Sequence, residues 1–197
     1  MTDSKNSSTD AAVSAFSVTS QPMDSDDVAR AMWRMASEMV ERNRGTAELV
    51  LIGMQSDGVK FAKRLAELIE QRQSEQRQSE QGETTQVPVG TIDMTLHRDD
   101  TAQMPFTAIG ETDLPVSIDN KIVVLVDDVL YTGRTARAAI DALFSHGRPA
   151  AVQLAVMIDR GHREVPIRPD FVGKNLPTRP DERVEASFNG VQIGIRK

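Results

Sequence analysis

Apolar and polar residues along the chain follow the pattern of strands that alternate with helices. Strands are predicted at 49–54, 89–96, 122–126 and 152–158, with terminal strands within 183–195. Amphipathic helices are predicted at 28–44, 59–69 and 135–144, where apolar residues recur at helical spacing. Ser25 is the expected N-cap of the first helix. This order is typical of an α/β fold with a parallel sheet and helices on both faces.

Polar segments divide the chain. Residues 1–23 carry too few apolar groups to offset the entropy of ordering, so a disordered tail is predicted before a single domain at 24–197. Inside that domain, the tandem QRQSE repeat predicts a polar Gln-rich insert at 71–87, a helix extension that frays into a solvated linker. The long polar stretch at 98–119 predicts a flexible lid, and 159–178 is turn-rich and cationic.

Composition narrows the class of protein. The chain of 197 residues is long enough for one sizeable core, and the absence of Cys excludes disulfides and thiolate metal sites. It has neither a basic start with an apolar core nor an apolar run of the roughly 20 residues that a membrane helix needs, so we expect a cytoplasmic protein without membrane contact. The net charge of −6 argues against general coating of nucleic acid but permits a local basic face.

The run VVLVDDVLYTGRTARAAI at 123–140 carries the clearest chemistry. A buried-type strand leads to Asp127 and Asp128, which should lie at the sheet edge where open α/β sheets bind ligands. The turn from Thr132 to Thr135 offers hydroxyls and a helix N-terminus to a phosphate. The layout suits a ribose phosphate, whereas an Asp pair that only caps a turn would leave the loop and the apolar run unexplained.

This run resembles the signature of the type I phosphoribosyltransferases. Together with IDMTLHRDD at 92–100 and the run at 147–178, the chain is similar over about 24–195 to the PyrR family of pyrimidine-operon regulators and uracil phosphoribosyltransferases. The resemblance implies a type I phosphoribosyltransferase fold, with a central mostly parallel sheet flanked by helices, a small hood at 159–178 and the flexible lid. It also implies uridine-nucleotide-dependent binding of pyrimidine-operon leader mRNA, and formation of UMP from uracil and phosphoribosyl pyrophosphate (PRPP).

The resemblance also implies roles for individual residues. The expected catalytic residues are Asp127, Asp128 and Arg98, the last at the base of the lid. The expected PRPP-binding residues are Ser56, Gly58, Val129, Leu130, Tyr131, Thr132, Gly133, Arg134 and Thr135. The expected uracil-binding residues are Asp159, Arg160, Lys174 and Asn175. The expected RNA-binding residues are Arg34, His162, Arg163, Arg168 and Lys174. Mg²⁺ is expected to be held mainly by PRPP rather than by protein ligands, and the chain to form a homodimer or higher homo-oligomer.

Two places depart from the family pattern. Gln55–Ser56–Asp57–Gly58 stands where a KTRG-like loop is usual, so two cations are lost and an anion is gained. Asp57 should repel a pyrophosphate unless its side chain turns toward the following helix, and turnover is therefore expected to be weak. Trp33 and Ser37 stand where the family presents Thr and His to RNA.

Three functions remain to be separated. The first is an RNA-binding attenuation regulator that senses UMP or UTP, with at most weak transferase activity. The second is a uracil salvage phosphoribosyltransferase without an RNA role. The third is a purine or other base-specific transferase. Tyr131 and Lys174 argue against it, since the resemblance implies that purine enzymes carry an Asp before the loop Thr-Gly and an aromatic residue that stacks on the purine.

Overall fold

A computed structural model describes residues 16–77, 86–94 and 112–196. The strands are β1 (Phe16–Asp24), β2 (Leu49–Met54), β3 (Val89–Ile92), β4 (Ile122–Leu130), β5 (Ala151–Asp159), β6 (Phe171–Asn175), β7 (Arg183–Ser187) and β8 (Gly190–Arg196). The helices are α1 (Ser25–Arg42), α2 (Gln55–Arg77) and α3 (Arg134–Phe144). Within the described ranges, no helix is long and apolar enough to cross a membrane.

The main sheet has five parallel strands in the order β3-β2-β4-β5-β6. Its strands are buried on both faces, because Val124 and Val126 of β4 pack toward α1 and α2 whereas Val123 and Leu125 pack toward α3. Runs without polar alternation fit such a sheet, and the predicted parallel sheet flanked by helices is confirmed.

Helix α1 begins at Ser25, the predicted cap, and its actual N-cap is one residue earlier. Asp24, and not Ser25, is the N-cap: its Oδ1 accepts the backbone N–H of Asp27 at 2.8 Å, and Asp27 Oδ2 accepts that of Asp24 at 3.2 Å. This reciprocal capping box satisfies two donors at the helix start. The acids that the sequence places before the helix therefore fix its first turn.

The predicted disordered tail is wrong for residues 16–23, because these form β1. Strand β1 pairs antiparallel with β8 in a three-stranded sheet of order β1-β8-β7, which packs on the α1 and α2 face of the main sheet. Met23 is only 4% exposed, and Thr19 Oγ1 donates to the Ile193 carbonyl at 3.1 Å. The strand is stabilised by a partner about 170 residues away, which a local count of apolar residues does not detect. Residues 1–15 lie outside the described residues.

The predicted hood at 159–178 is also corrected. Asp159 ends β5, and the segment contains β6, which is the fifth strand of the main sheet. The small sheet formed by β1, β8 and β7 contacts the main sheet through β7, which lies next to β4. Of the predicted lid, residues 98–111 lie outside the described residues, while Asp113 pairs with Thr91 beside β3.

The start of the Gln-rich insert is helical and packed. Helix α2 continues through the first QRQSE copy, and Gln73, only 6% exposed, donates to Thr46 Oγ1. Arg72 donates to Ser37 Oγ on α1. The helix extension is therefore confirmed, but this part is not a solvated linker. Residues 78–85 lie outside the described part of the chain.

A chain that begins at Met23 is expected to be less stable than one that begins at Phe16. The deletion removes most of β1, leaves β8 paired only with β7 and exposes apolar residues such as Ile193. We expect the free energy of unfolding to fall by roughly 2–4 kcal/mol, the scale of losing a buried apolar contact set. Urea unfolding of both chains measures this, and equal midpoints would contradict the structural role of β1.

Candidate functional site

The two carboxylates lie near the carboxyl end of β4, in the middle of the main sheet. The strand continues through Asp127 and Asp128 to Leu130, four residues beyond the predicted end. The Asp128 N–H donates to Asp127 Oδ1 at 3.0 Å, and the Val129 N–H donates to Asp128 Oδ1 at 2.8 Å. These bonds hold both carboxylates at the sheet edge.

Asp128 is the titratable group most affected by this position. Burial raises the pKa of the Asp128 carboxyl, hydrogen bonds from Asp127 and from the Val129 N–H lower it, and the charge of Asp57 raises it further. The net shift is upward, since desolvation disfavours the ionised form. The ionised form of Asp128 is therefore less favoured than that of an exposed aspartate.

The first turn of α2 lies directly against the end of β4. A Cβ added to Gly58 would overlap the Val126 carbonyl oxygen and stand 3.3 Å from the Asp127 Cα. Only glycine permits this approach, which brings Asp57 close enough to act on Asp128. The Asp57 carboxylate accepts from Lys60 Nζ at 2.8 Å, so its side chain turns toward the helix.

The loop after β4 leads into α3 through a left-handed residue. Gly133 has φ +90°, and a Cβ there would meet Val165 Cγ2 at 2.8 Å. The Thr132 carbonyl accepts the Glu164 N–H at 3.0 Å. Gly133, the N-cap of α3, has no side chain to cap the helix, and Thr132 Oγ1 accepts the Arg134 N–H at 3.4 Å. A helix start with backbone N–H groups toward the loop favours an anion.

The segment after β5 braces this loop. Arg163 donates to the Tyr131 carbonyl at 3.1 Å and pairs with Asp159 at 2.5 Å. The Arg160 guanidinium lies 4.0 Å from the Tyr131 ring centroid, and Arg160 is only 6% exposed. His162 Nε2 lies 2.7 Å from the Thr178 carbonyl oxygen. Asp159, Arg160, His162 and Arg163 thus have structural contacts, and their ligand roles stay predictions.

The larger cavity, about 580 Å³, lies between the end of β4 and the β7–β8 hairpin. It is lined by Asp57, Asp128, Arg183, Val184, Glu185, Ala186, Ser187, Asn189, Gly190 and Gln192. Strand β7 is an edge strand, so alternate residues turn their N–H and C=O groups away from β8. The hairpin is not among the predicted site residues, because the apolar pattern predicts its strands but not their contact with β4.

A smaller groove, about 320 Å³, lies between α1 and β6. Arg34 donates to the carbonyls of Val172 at 2.9 Å and Gly173 at 2.7 Å, and Lys174 Nζ donates to the Pro22 carbonyl at 2.9 Å. The groove brings together two predicted RNA-binding residues, Arg34 and Lys174, and adds Arg30, which was not predicted. It does not include His162, Arg163 or the exposed Arg168.

The remaining predicted site residues do not all lie at the larger cavity. Leu130 is 3% exposed and packs in the core, so only its backbone is available, and its carbonyl already accepts the Arg160 N–H. Asn175 is exposed and stands opposite Asp159 in the sheet, so these two predicted uracil residues are neighbours. Lys174, by contrast, belongs to the smaller groove. Arg98 lies outside the described residues, and the side chain of Ser56 is not described.

Comparisons with known proteins agree with this geometry. The phosphoribosyl transferase domain family matches residues 23–186. A bifunctional protein PyrR from Roseiflexus sp. (strain RS-1) is 49% identical over 176 residues, 89% of this chain and 91% of the relative. Another from Chloroflexus aurantiacus is 52% identical over 165 residues, 83% of this chain and 85% of the relative.

Solved structures resemble the chain in fold. A hypoxanthine phosphoribosyltransferase from Staphylococcus aureus has a TM-score of 0.63 at 20% identity and covers 91% of this chain and 93% of that one. A hypoxanthine-guanine phosphoribosyltransferase from Bacillus anthracis has a TM-score of 0.65 at 17% identity and covers 91% and 99%. At these identities the likeness shows the fold alone, and the predicted type I phosphoribosyltransferase fold is confirmed.

Replacing Asp128 by Asn is expected to stabilise the protein at about pH 7.5. The raised folded-state pKa means that the stability tied to the neutral carboxyl is present at low pH and lost as the pH rises through that pKa. The difference in stability between the Asn variant and the unaltered protein should therefore shrink as the pH falls toward 3.8, the ordinary pKa of an aspartate. Urea unfolding across this pH range tests it, with Asp141→Asn on the exposed face of α3 as the control. A loss of stability at neutral pH would contradict the prediction.

Proposed function

Because the chain belongs to the PyrR family of phosphoribosyltransferases, we propose that it regulates a pyrimidine biosynthetic operon through uridine-nucleotide-dependent binding of its leader mRNA and converts uracil and PRPP to UMP and diphosphate. The observation that supports the transferase most directly is the placement of Asp127 and Asp128 at the sheet edge, beside the α3 N-terminus and a cavity of about 580 Å³. A sugar phosphate fits such an edge.

The carboxylates and the loop bind different parts of the sugar phosphate. Asp127 and Asp128 accept hydrogen bonds from the ribose hydroxyls, since carboxylates are strong acceptors. The phosphate binds at the loop from Thr132 to Thr135, where the hydroxyls and the start of α3 favour negative charge. Arg160 and Arg163 keep Tyr131, and with it the loop, in place.

Transfer occurs at the anomeric carbon. The bond from uracil N1 to C1′ forms while the C1′–O bond breaks, its electron pair leaves with pyrophosphate, and the N1 proton passes to a pyrophosphate oxygen. Asp127 and Asp128 stabilise the positive charge that develops on the sugar. Asp57 and Asp128 present hard oxygen donors to the same cavity, which suits Mg²⁺ carried in by PRPP. When bound, Mg²⁺ neutralises charge on the leaving group.

The edge of β7 supplies the groups that read the base. Alternate residues of this strand offer a backbone donor and acceptor, which match the carbonyl and N–H edge of uracil. Tyr131 stands where purine enzymes carry an acidic residue, so the chain lacks that contact for a purine. These features favour uracil as the base.

Purified protein is expected to form UMP from uracil, PRPP and Mg²⁺ slowly, and to reject hypoxanthine and guanine. Asp127→Asn is expected to lower kcat at least about 100-fold, because it removes charge that stabilises the transition state. Asp141→Asn on α3, paired with Arg137 and far from the cavity, is the control. Steady-state assays with each base measure this, and a preference for a purine would contradict the assignment.

The groove between α1 and β6 supports RNA binding. Arg30, Arg34 and Lys174 line it together with Asp27, in a chain whose net charge is −6. Arg30 pairs with Asp27 and Arg34 pairs with Glu38, whereas Lys174 donates to a backbone carbonyl. Such cations bind phosphates and position the RNA. Trp33 packs against the core and Ser37 accepts a hydrogen bond from Arg72, so the family's two RNA-facing positions on α1 are engaged internally. RNA affinity therefore depends on the groove cations.

Lys174→Gln and Arg30→Gln are each expected to weaken binding of a pyrimidine-operon leader hairpin and to reduce the salt slope of log K by about one. UMP or UTP is expected to strengthen binding by the unaltered protein. Arg148→Gln, an exposed cation that contacts Phe144 at the other end of the sheet, is the control. Shift assays at several salt concentrations measure this. If the unaltered protein binds no hairpin, the salvage enzyme without an RNA role replaces the regulator.

A further inference from the structure

Arg183 lines the larger cavity, and the proposed transfer reaction does not use its charge. It is exposed, stands at the start of β7 and forms no ion pair with the described residues. The other charged side chains that line the cavity, Asp57, Asp128 and Glu185, are acidic. We propose that Arg183 is a base-binding residue whose guanidinium lies against the uracil ring, an inference that rests on the proposed transferase function.

The position of Arg183 follows from the strand. Val184 and Ala186 are both 8% exposed and belong to the core, so the alternation of β7 turns Arg183 and Glu185 to the opposite face. Strand β7 is an edge strand of the small sheet, and its five residues all line the cavity. A base held by that edge therefore lies within reach of the side chain that precedes Val184.

A second observation places Arg183 near the loop after β4. Arg160 donates to the carbonyl of Glu182, the residue before Arg183, at 2.8 Å. Burial lowers the pKa of Arg160, and the positive charge of Arg183 adds to this lowering. Arg160 in turn stacks on Tyr131, the residue after Leu130 at the end of β4. Arg183 thus stands between the loop that holds the sugar phosphate and the strand edge that reads the base.

The chemistry of the guanidinium suits a base better than the surrounding carboxylates do. It is planar and weakly hydrated, and it stacks on nucleobases. As N1 of uracil loses its proton, negative charge spreads over the ring and its carbonyl oxygens, and an adjacent cation stabilises that charge. The acidic residues around the cavity would repel it, so Arg183 supplies the compensating charge.

Calorimetric binding of UMP and of ribose 5-phosphate isolates the base contact. Arg183→Gln is expected to weaken the affinity for UMP about tenfold, the scale of one base–cation contact. The affinity for ribose 5-phosphate is expected to change by no more than about twofold. Arg183→Lys should recover only part of the UMP affinity, because an ammonium cannot stack as a plane. Arg179→Gln, an exposed arginine on the turn before β7, is the control and should bind both ligands as the unaltered protein does.

The outcomes separate this inference from the proposed function. Equal weakening of both ligands by Arg183→Gln would place Arg183 on the sugar phosphate and overturn the inference, as would an unchanged UMP affinity. If the unaltered protein binds neither ligand, the transferase assignment itself fails, and the inference fails with it. In steady-state assays, the supporting result is a raised KM for uracil with an unchanged KM for PRPP.

Discussion

The contact between the first turn of α2 and the end of β4 determines the geometry of the site. Gly58 lies so close to the Val126 carbonyl that any side chain there would force the helix away from the sheet. With glycine, the helix brings Asp57 to one side of the carboxylates at Asp127 and Asp128. The same helix continues to Arg72, which contacts Ser37, so the packing of α2 against α1 depends on this approach as well.

This packing concentrates negative charge where a negatively charged substrate must bind. Asp57 raises the pKa of Asp128 in addition to the effect of burial, a cost that functional sites often carry. Lys60 offsets part of the Asp57 charge, and the start of α3 contributes its dipole. We therefore expect the site to bind anions through backbone groups and substrate-borne cations more than through a cation-rich loop at 55–58.

Local patterns predicted the central part of the site, and long-range pairing determined the rest. The run from β4 through the loop to α3 is continuous in sequence, so its apolar residues, carboxylates and Gly133 could be placed from sequence alone. Strands β1 and β6 could not, because β1 depends on β8 at the other end of the chain and β6 is a short strand with Gly173 and Lys174 inside it. The position of β7 over β4 is likewise set by tertiary packing.

The small sheet gives the proposed coupling between nucleotide and RNA a physical basis. Gly190 of β8 lines the larger cavity and pairs with Asp24 of β1. Met23, the neighbour of Asp24 in β1, lines the smaller groove. A nucleotide held at the β7 edge and an RNA held beside Lys174 thus contact parts of one three-stranded sheet. If a nucleotide shifts the position of that sheet, RNA affinity changes with it, and by linkage RNA must change nucleotide affinity by the same factor.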